Sequence, residues 1–209
     1  MPLRVSPPTA SRYVRFMPRA HRRLIAGGIY HVTNRGNRKQ PIFLSDADRL
    51  LFIEIGKKIA AGRRWSVHGY CLMQNHYHLV VETPNPDLSA GMQAINSEYA
   101  QWFNRAHGFV GHVFQGRFKA VLVESDWHLL ELARYVAMNP VRAGLCFSPS
   151  QWPWSSFGEV IGDSALSLVQ SSKVLRFFGE DPERAREVFR EFVEDHQARY
   201  GAPVLDVGV

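Results

Sequence analysis

Cysteine is scarce: Cys71 and Cys146 are the only two in 209 residues. That excludes a disulfide framework and a four-cysteine zinc site and makes a reducing cytoplasm the expected compartment. No apolar run approaches the roughly 18–20 residues of a membrane span. Arginine occurs early, but no apolar stretch follows it, so a secretory signal is not expected. Gly-x-Ser-x-Gly, His-Glu-x-x-His and a Walker-type glycine loop are all missing, which removes serine-hydrolase, zincin and P-loop chemistry from consideration. Acid is absent from the first 44 residues.

What is present is a chain able to bury a core, 45% hydrophobic and 21% charged, with its charge unevenly spread. Residues 1–64 hold 14 basic side chains against 3 acidic, and residues 65–209 hold 11 against 16. A basic end on a globular body suggests a polyanionic partner, nucleic acid before membrane. Residues 1–17, with Pro2, Pro7 and Pro8 and no apolar period, read as a disordered tail, and Met17-Pro18-Arg19 is a plausible alternative start.

Periodicity gives the rest. Strands are expected between Gly28 and Gly36, at Trp65–Met73, at His76–Glu82 and within Phe114–Val123. Helices are expected from Ser45-Asp46 to about Ala61, over Leu88–Arg105, and from Asp126 to about Met138, where Pro140 is expected to stop the chain. The first six elements follow the split β-α-β order of an α+β, ferredoxin-like antiparallel sheet with helices on one face. An additional helix follows them. Asp181-Pro182 opens a last helix, so residues 159–209 read as a helical C-terminal extension to a domain covering 18–158.

The sharpest local feature is His76-Tyr77-His78. In a strand, alternate side chains share a face, so both imidazoles point one way and Tyr77 points the other. Such a pair suits a divalent cation; it equally suits a plain polar sheet surface. Tyr135 and Asn139 lie one helical turn apart on one face, as a nucleophile and an oxygen ligand or as a core tyrosine and a helix-end residue. Tyr99 lies in an apolar stripe and reads as core, and Trp152 and Trp154 read as core covers before base-stacking platforms.

Together these segments resemble the REP-associated tyrosine transposases of the HUH single-strand transposase superfamily. The likeness runs from Met17-Pro18-Arg19 through Gly28-Ile29-Tyr30-His31-Val32, Arg35-Gly36, Met73-Gln74-Asn75-His76-Tyr77-His78-Leu79 and Phe114-Gln115-Gly116-Arg117-Phe118-Lys119. It continues through Tyr135-Val136-Ala137-Met138-Asn139-Pro140 to Trp152-Pro153-Trp154. Tyr77 departs from it, being bulkier than the usual aliphatic residue, and Phe118 stands where a tyrosine is frequent. The resemblance implies a ferredoxin-like fold, single-stranded or hairpin DNA as partner, a monomer or homodimer, and a Mg²⁺ or Mn²⁺ cofactor held by His76 and His78 with Asn139 as third ligand. Tyr135 is implied as a nucleophile forming a 5′-phosphotyrosine. DNA contacts are expected from Arg19, Arg22, Arg23, Arg35, Asn37, Arg38, Lys39, Arg117, Lys119 and Arg142, with Asn34 and Asn37 placed to read base edges. The alternative is a non-catalytic regulator of the same fold that binds hairpin DNA.

Overall fold

The computed structural model describes residues 24–164 and 166–199; Arg19, Arg22, Arg23 and the expected N-terminal tail lie outside them. Four strands, β1 (Gly28–Arg35), β2 (Ser66–Leu72), β3 (His76–Thr83) and β4 (Lys119–Leu122), form one sheet in the order β2-β3-β1-β4. Every pairing is antiparallel. With α1 (Asp46–Arg63) between β1 and β2, and α2 (Leu88–His107) between β3 and β4, this is the ferredoxin-like arrangement that the element order implies.

Helix α1 starts where the sequence supplies a reciprocal cap. The Ser45 hydroxyl accepts from the Asp48 amide, and the Asp48 carboxylate accepts from the Ser45 and Leu44 amides at 2.8 and 2.6 Å. His107, at the end of α2, reaches the other oxygen of the fully buried Asp48 at 2.9 Å, so one carboxylate ties both helices together. Both lie on one face of the sheet over a core that includes Tyr30, Val32, Phe52, Tyr70, Tyr77, Leu79, Ile95 and Tyr99. Tyr77 is wholly buried there and donates its hydroxyl to Asn96 at 2.7 Å, which is why the strand tolerates a bulky residue between the two histidines. Tyr99 is core as well, its hydroxyl bonded to the Ile42 carbonyl.

The opposite face is covered by α3 (Asp126–Arg142), whose Leu129, Leu132 and Val136 pack on Cys71, Met73 and Val80. The expectation that this helix stops before Pro140 is corrected: α3 runs through the proline to Arg142. A proline removes its own N–H and crowds the carbonyl four residues back; in the last turn the loss in hydrogen bonding is one bond. The helix recovers with Ala143 N–H to the Asn139 carbonyl at 3.0 Å and Leu145 N–H to the Pro140 carbonyl at 2.9 Å. The other side of α3, at Ala137 and Met138, shares a second core with α4 (Ser156–Ile161), α5 (Ser172–Leu175) and α6 (Pro182–Arg199). Helix α6 begins as its Asp-Pro start predicts, with the Asp181 carboxylate accepting from the Arg184 amide at 3.0 Å. No helix among the described residues is long and apolar enough to cross a membrane.

Candidate active site

Strand register decides which side chains meet beneath α3. On β1, Tyr30 and Val32 enter the α1/α2 core, so His31, Thr33 and Arg35 face the other way. Arg35 pairs with His76 and Thr33 with His78. The imidazoles of His76 and His78 therefore share a face, with centroids 5.1 Å apart. Helix α3 then lays Tyr135 over them. Its ring meets the His78 ring edge-on at 5.6 Å and the His31 ring at 6.0 Å. One turn on along the unbroken helix, Asn139 comes close enough to His76 to favour its protonated form, while His76 Nδ1 lies 2.7 Å from the Asn75 side-chain oxygen. The four residues singled out in the sequence, His76, His78, Tyr135 and Asn139, thus come together in space.

A fifth was missed. His31 stacks on His78 with its ring plane 13° from parallel, and its Nε2 lies 3.0 Å from His78 Nδ1. The signal lay in the alternation of β1, where Tyr30 and Val32 are core and the intervening histidine must face the opposite side.

Burial sets the protonation. It pulls His31 and His76 down to about 4, helped in the first by His128 and in the second by Arg35. His78, wholly enclosed, is held well below the ordinary range by burial and then by His31, His76 and Arg35. All three are neutral at pH 7, the state in which imidazole binds a metal. The bond between His31 and His78 needs one donor and one acceptor. His78 Nε2 is buried without a partner. A proton on Nδ1, donated to His31, leaves the Nε2 lone pair free, and that orphaned nitrogen is what a cation site requires. Two imidazoles and the Asn139 amide fit a divalent ion. His31 does not extend the set, since its Nε2 is committed to His78; among the described residues no three His, Cys, Asp or Glu side chains converge as a cation site.

Basic groups ring the cluster. The Arg142 guanidinium lies 5.1 Å from the centre of the Tyr135 ring. Arg35 is half-buried opposite His76, its Nε enclosed and unpartnered. Lys119 pairs with Thr33 across β4 and, with Arg35 and Arg117, lines a small recess at that edge of the sheet. Asn37, Arg38 and Lys39 form a single exposed 3-10 turn in which Arg38 and Lys39 adopt left-handed backbone, φ 53° and 62°. Asn75 binds that turn through the Lys39 carbonyl at 3.0 Å, placing it beside His76. Gly36 before the turn has no room for a side chain, since a Cβ would lie 2.0 Å from the Gln40 carbonyl oxygen. Asn34 is buried on the opposite face, its amide near the Gly116 carbonyl at 3.4 Å. Trp152 and Trp154 pack against the two cores on either side of the sheet, with the Arg49 guanidinium 5.9 and 5.5 Å from their rings.

Residues 25–139 match the family profile of IS200-like transposases. A solved structure of a REP-associated tyrosine transposase bound to a REP hairpin superposes with a TM-score of 0.60 at 21% identity, covering 72% of this chain and 88% of that one. Two looser likenesses are also found. A Deinococcus radiodurans chain described as a transposase gives a TM-score of 0.41 at 15% identity, covering 57% of this chain and 95% of its own. The tRNA(His) guanylyltransferase of Saccharomyces cerevisiae gives 0.44 at 11%, covering 88% and 84%. Comparison with curated protein sequences finds no match.

Proposed function

Because the chain belongs to the IS200-like transposase family, we propose that it nicks and rejoins single-stranded, hairpin-flanked DNA through a covalent link to Tyr135. The observation that carries this reading is the seating of the Tyr135 ring against His78 and His31, beside the Arg142 guanidinium, on the one sheet face that also bears His76.

Each residue then has a task. Arg35, Lys119 and Arg142 draw the phosphate backbone onto this face. His76 and His78 would hold Mg²⁺ or Mn²⁺, with Asn139 as the oxygen donor, and the bound ion supplies positive charge against the scissile phosphate. His31 fixes the tautomer of His78. Helix α3 fixes the line of approach of the Tyr135 oxygen. That oxygen attacks phosphorus, the bond from phosphorus to the 3′-oxygen breaks, and the strand ends as a 5′-phosphotyrosine and a free 3′-hydroxyl. The tyrosine proton passes to solvent, and the departing 3′-oxygen takes one up. The ester keeps the free energy of the phosphodiester, so a second 3′-hydroxyl reverses the step and joins strands without a nucleotide cofactor.

The test is a hairpin-flanked single strand incubated with protein and Mn²⁺. The intact chain should give a protein–DNA adduct that survives denaturing electrophoresis, Tyr135→Phe should give none, and Tyr99→Phe should still give it. Tight hairpin binding with no adduct would favour the regulator instead. An adduct that persists in Tyr135→Phe would remove Tyr135 from the mechanism.

A further inference from the structure

Arg142 follows Tyr135 by two turns of α3, with Asn139 between them on the same stripe. Helical side chains lean toward the N-terminus, so the long stem of Arg142 reaches back past Asn139. Its guanidinium comes to rest 5.1 Å from the centre of the Tyr135 ring. We propose that Arg142 is a catalytic residue, its guanidinium binding a non-bridging oxygen of the scissile phosphate and neutralising the charge that builds there as Tyr135 attacks. The inference rests on the strand-cleaving function proposed for Tyr135, and it gives Arg142 a task at the reacting phosphorus, beyond attraction of the backbone.

The guanidinium is uncommitted. A basic residue in the last turn of a helix can serve the terminal carbonyls, and Arg142 stands in the last turn of α3. Among the described residues, however, no hydrogen bond or salt bridge engages it; its contact is the Tyr135 ring. Arg134, on the same helix, shows the contrast. It is spent on the Glu131 carboxylate and on the Phe192 ring, 4.7 Å from its guanidinium. Half-burial disfavours the charge of Arg142, with Tyr135 and Glu131 opposing that effect and Arg134 adding to it. A partly desolvated cation of this kind gains strongly from an anion brought against it. The Tyr135 hydroxyl is equally open, since no hydrogen bond engages it among the described residues. A nucleophile and a cation, stacked on each other and otherwise unpartnered, both face one incoming phosphate.

The passage of α3 through Pro140 is what sets this register. Had the helix ended before the proline, Arg142 would have left the stripe that carries Tyr135. As the bond from the Tyr135 oxygen to phosphorus forms and the bond to the 3′-oxygen breaks, negative charge is greatest on the non-bridging oxygens. A planar guanidinium with parallel N–H donors suits those oxygens, and a donor already in place is worth most at that moment. The rejoining step passes through the same charge, so Arg142 serves both directions.

The experiment compares the full chain with Arg142→Ala in single-turnover adduct formation on a hairpin-flanked single strand, at saturating protein with Mn²⁺. Affinity is read separately by fluorescence anisotropy in a Tyr135→Phe background. Arg142→Ala should form the adduct about 100-fold more slowly or worse, while affinity falls by a smaller factor. Arg142→Lys, which keeps the charge and loses the fork, should lie between. Alanine is a strong helix former, so the variant should fold, as circular dichroism will verify. A methylphosphonate at the scissile position then replaces one charged oxygen by a methyl group. In the diastereomer whose methyl group faces Arg142, the advantage of the parent over Arg142→Ala should shrink to about three-fold or less; in the other it should persist. If neither diastereomer reacts, methylguanidinium added to Arg142→Ala should restore the adduct on the ordinary strand. Normal adduct formation by Arg142→Ala, an equal loss on the ordinary strand and both diastereomers, or no restoration by methylguanidinium where that arm is needed would overturn the assignment and leave the functional reading standing. If the parent forms no adduct on any ordinary hairpin-flanked strand, the functional reading fails and this inference falls with it.

Discussion

His31 offers the sharpest test of how the site is held. It is 2% exposed, and His78, to which it is bonded at 3.0 Å, is 0% exposed. Truncation to alanine would combine a lost ring with an unpaired buried nitrogen, about 3–5 kcal/mol in all, enough to confuse function with folding. Phenylalanine is the cleaner change. It keeps a ring that can stack on His78 and meet the edge of Tyr135, and it deletes the Nε2 acceptor together with the ring's other nitrogen. His78 Nδ1–H then has no partner, at a cost of about 1–3 kcal/mol. The His78 proton is also free to move to Nε2, where it blocks the lone pair. Loss of such a supporting bond typically weakens a metal site about 10–100-fold. Calorimetric titration of the folded chain with Mn²⁺ should show that loss for His31→Phe. His31→Gln, whose amide oxygen can again accept from Nδ1, should recover most of it. Equal Mn²⁺ affinity in His31→Phe and the parent, or an equal loss in His31→Gln, would refute the tautomer argument.

Two further outcomes rest on charge. Unfolded histidine takes up a proton near pH 6.5, whereas His31 and His76 resist until about 4. Stability should therefore be full above about pH 6.5, fall as pH drops through 5, and level off near 4. The two together account for about 4 kcal/mol at pH 5; urea midpoints that match at pH 7 and pH 5 would contradict this. Affinity for hairpin DNA should fall steeply with salt, and replacing Arg38, Lys39 and Arg117 by Gln should reduce the slope of log K against log salt by about 1 for each phosphate no longer neutralised. An unchanged slope would place the DNA elsewhere.

Much of the architecture was legible in the sequence because its signals are local. Ser45 and Asp48 announce a cap, the alternation through His76-Tyr77-His78 assigns faces, and Asp181-Pro182 opens α6. The limits of α3 were less legible, since proline stops helices by a local rule that the last turn evades at the cost of one bond. The face that His31 takes could be read from the alternation of β1, but its bond to His78 could not: the two stand 47 residues apart, and only the register of β1 against β3 makes them neighbours. Tyr135 and Asn139 fall between these cases, suggestive by spacing and singled out by the family likeness.

Helix α3 is gripped on both sides. Leu129, Leu132 and Val136 are pressed into the sheet, while Ala137 and Met138 are locked among Phe157, Phe189 and Val193, side chains whose burial is worth about 1.5–3 kcal/mol each. Swinging Tyr135 outward would mean tearing two cores at once. In the proposed reaction the tyrosine would act as an anvil: its hydroxyl would stay put, every angstrom of travel would fall to the nucleic acid, and the two ends of a broken strand would be exchanged over a stationary point of attachment.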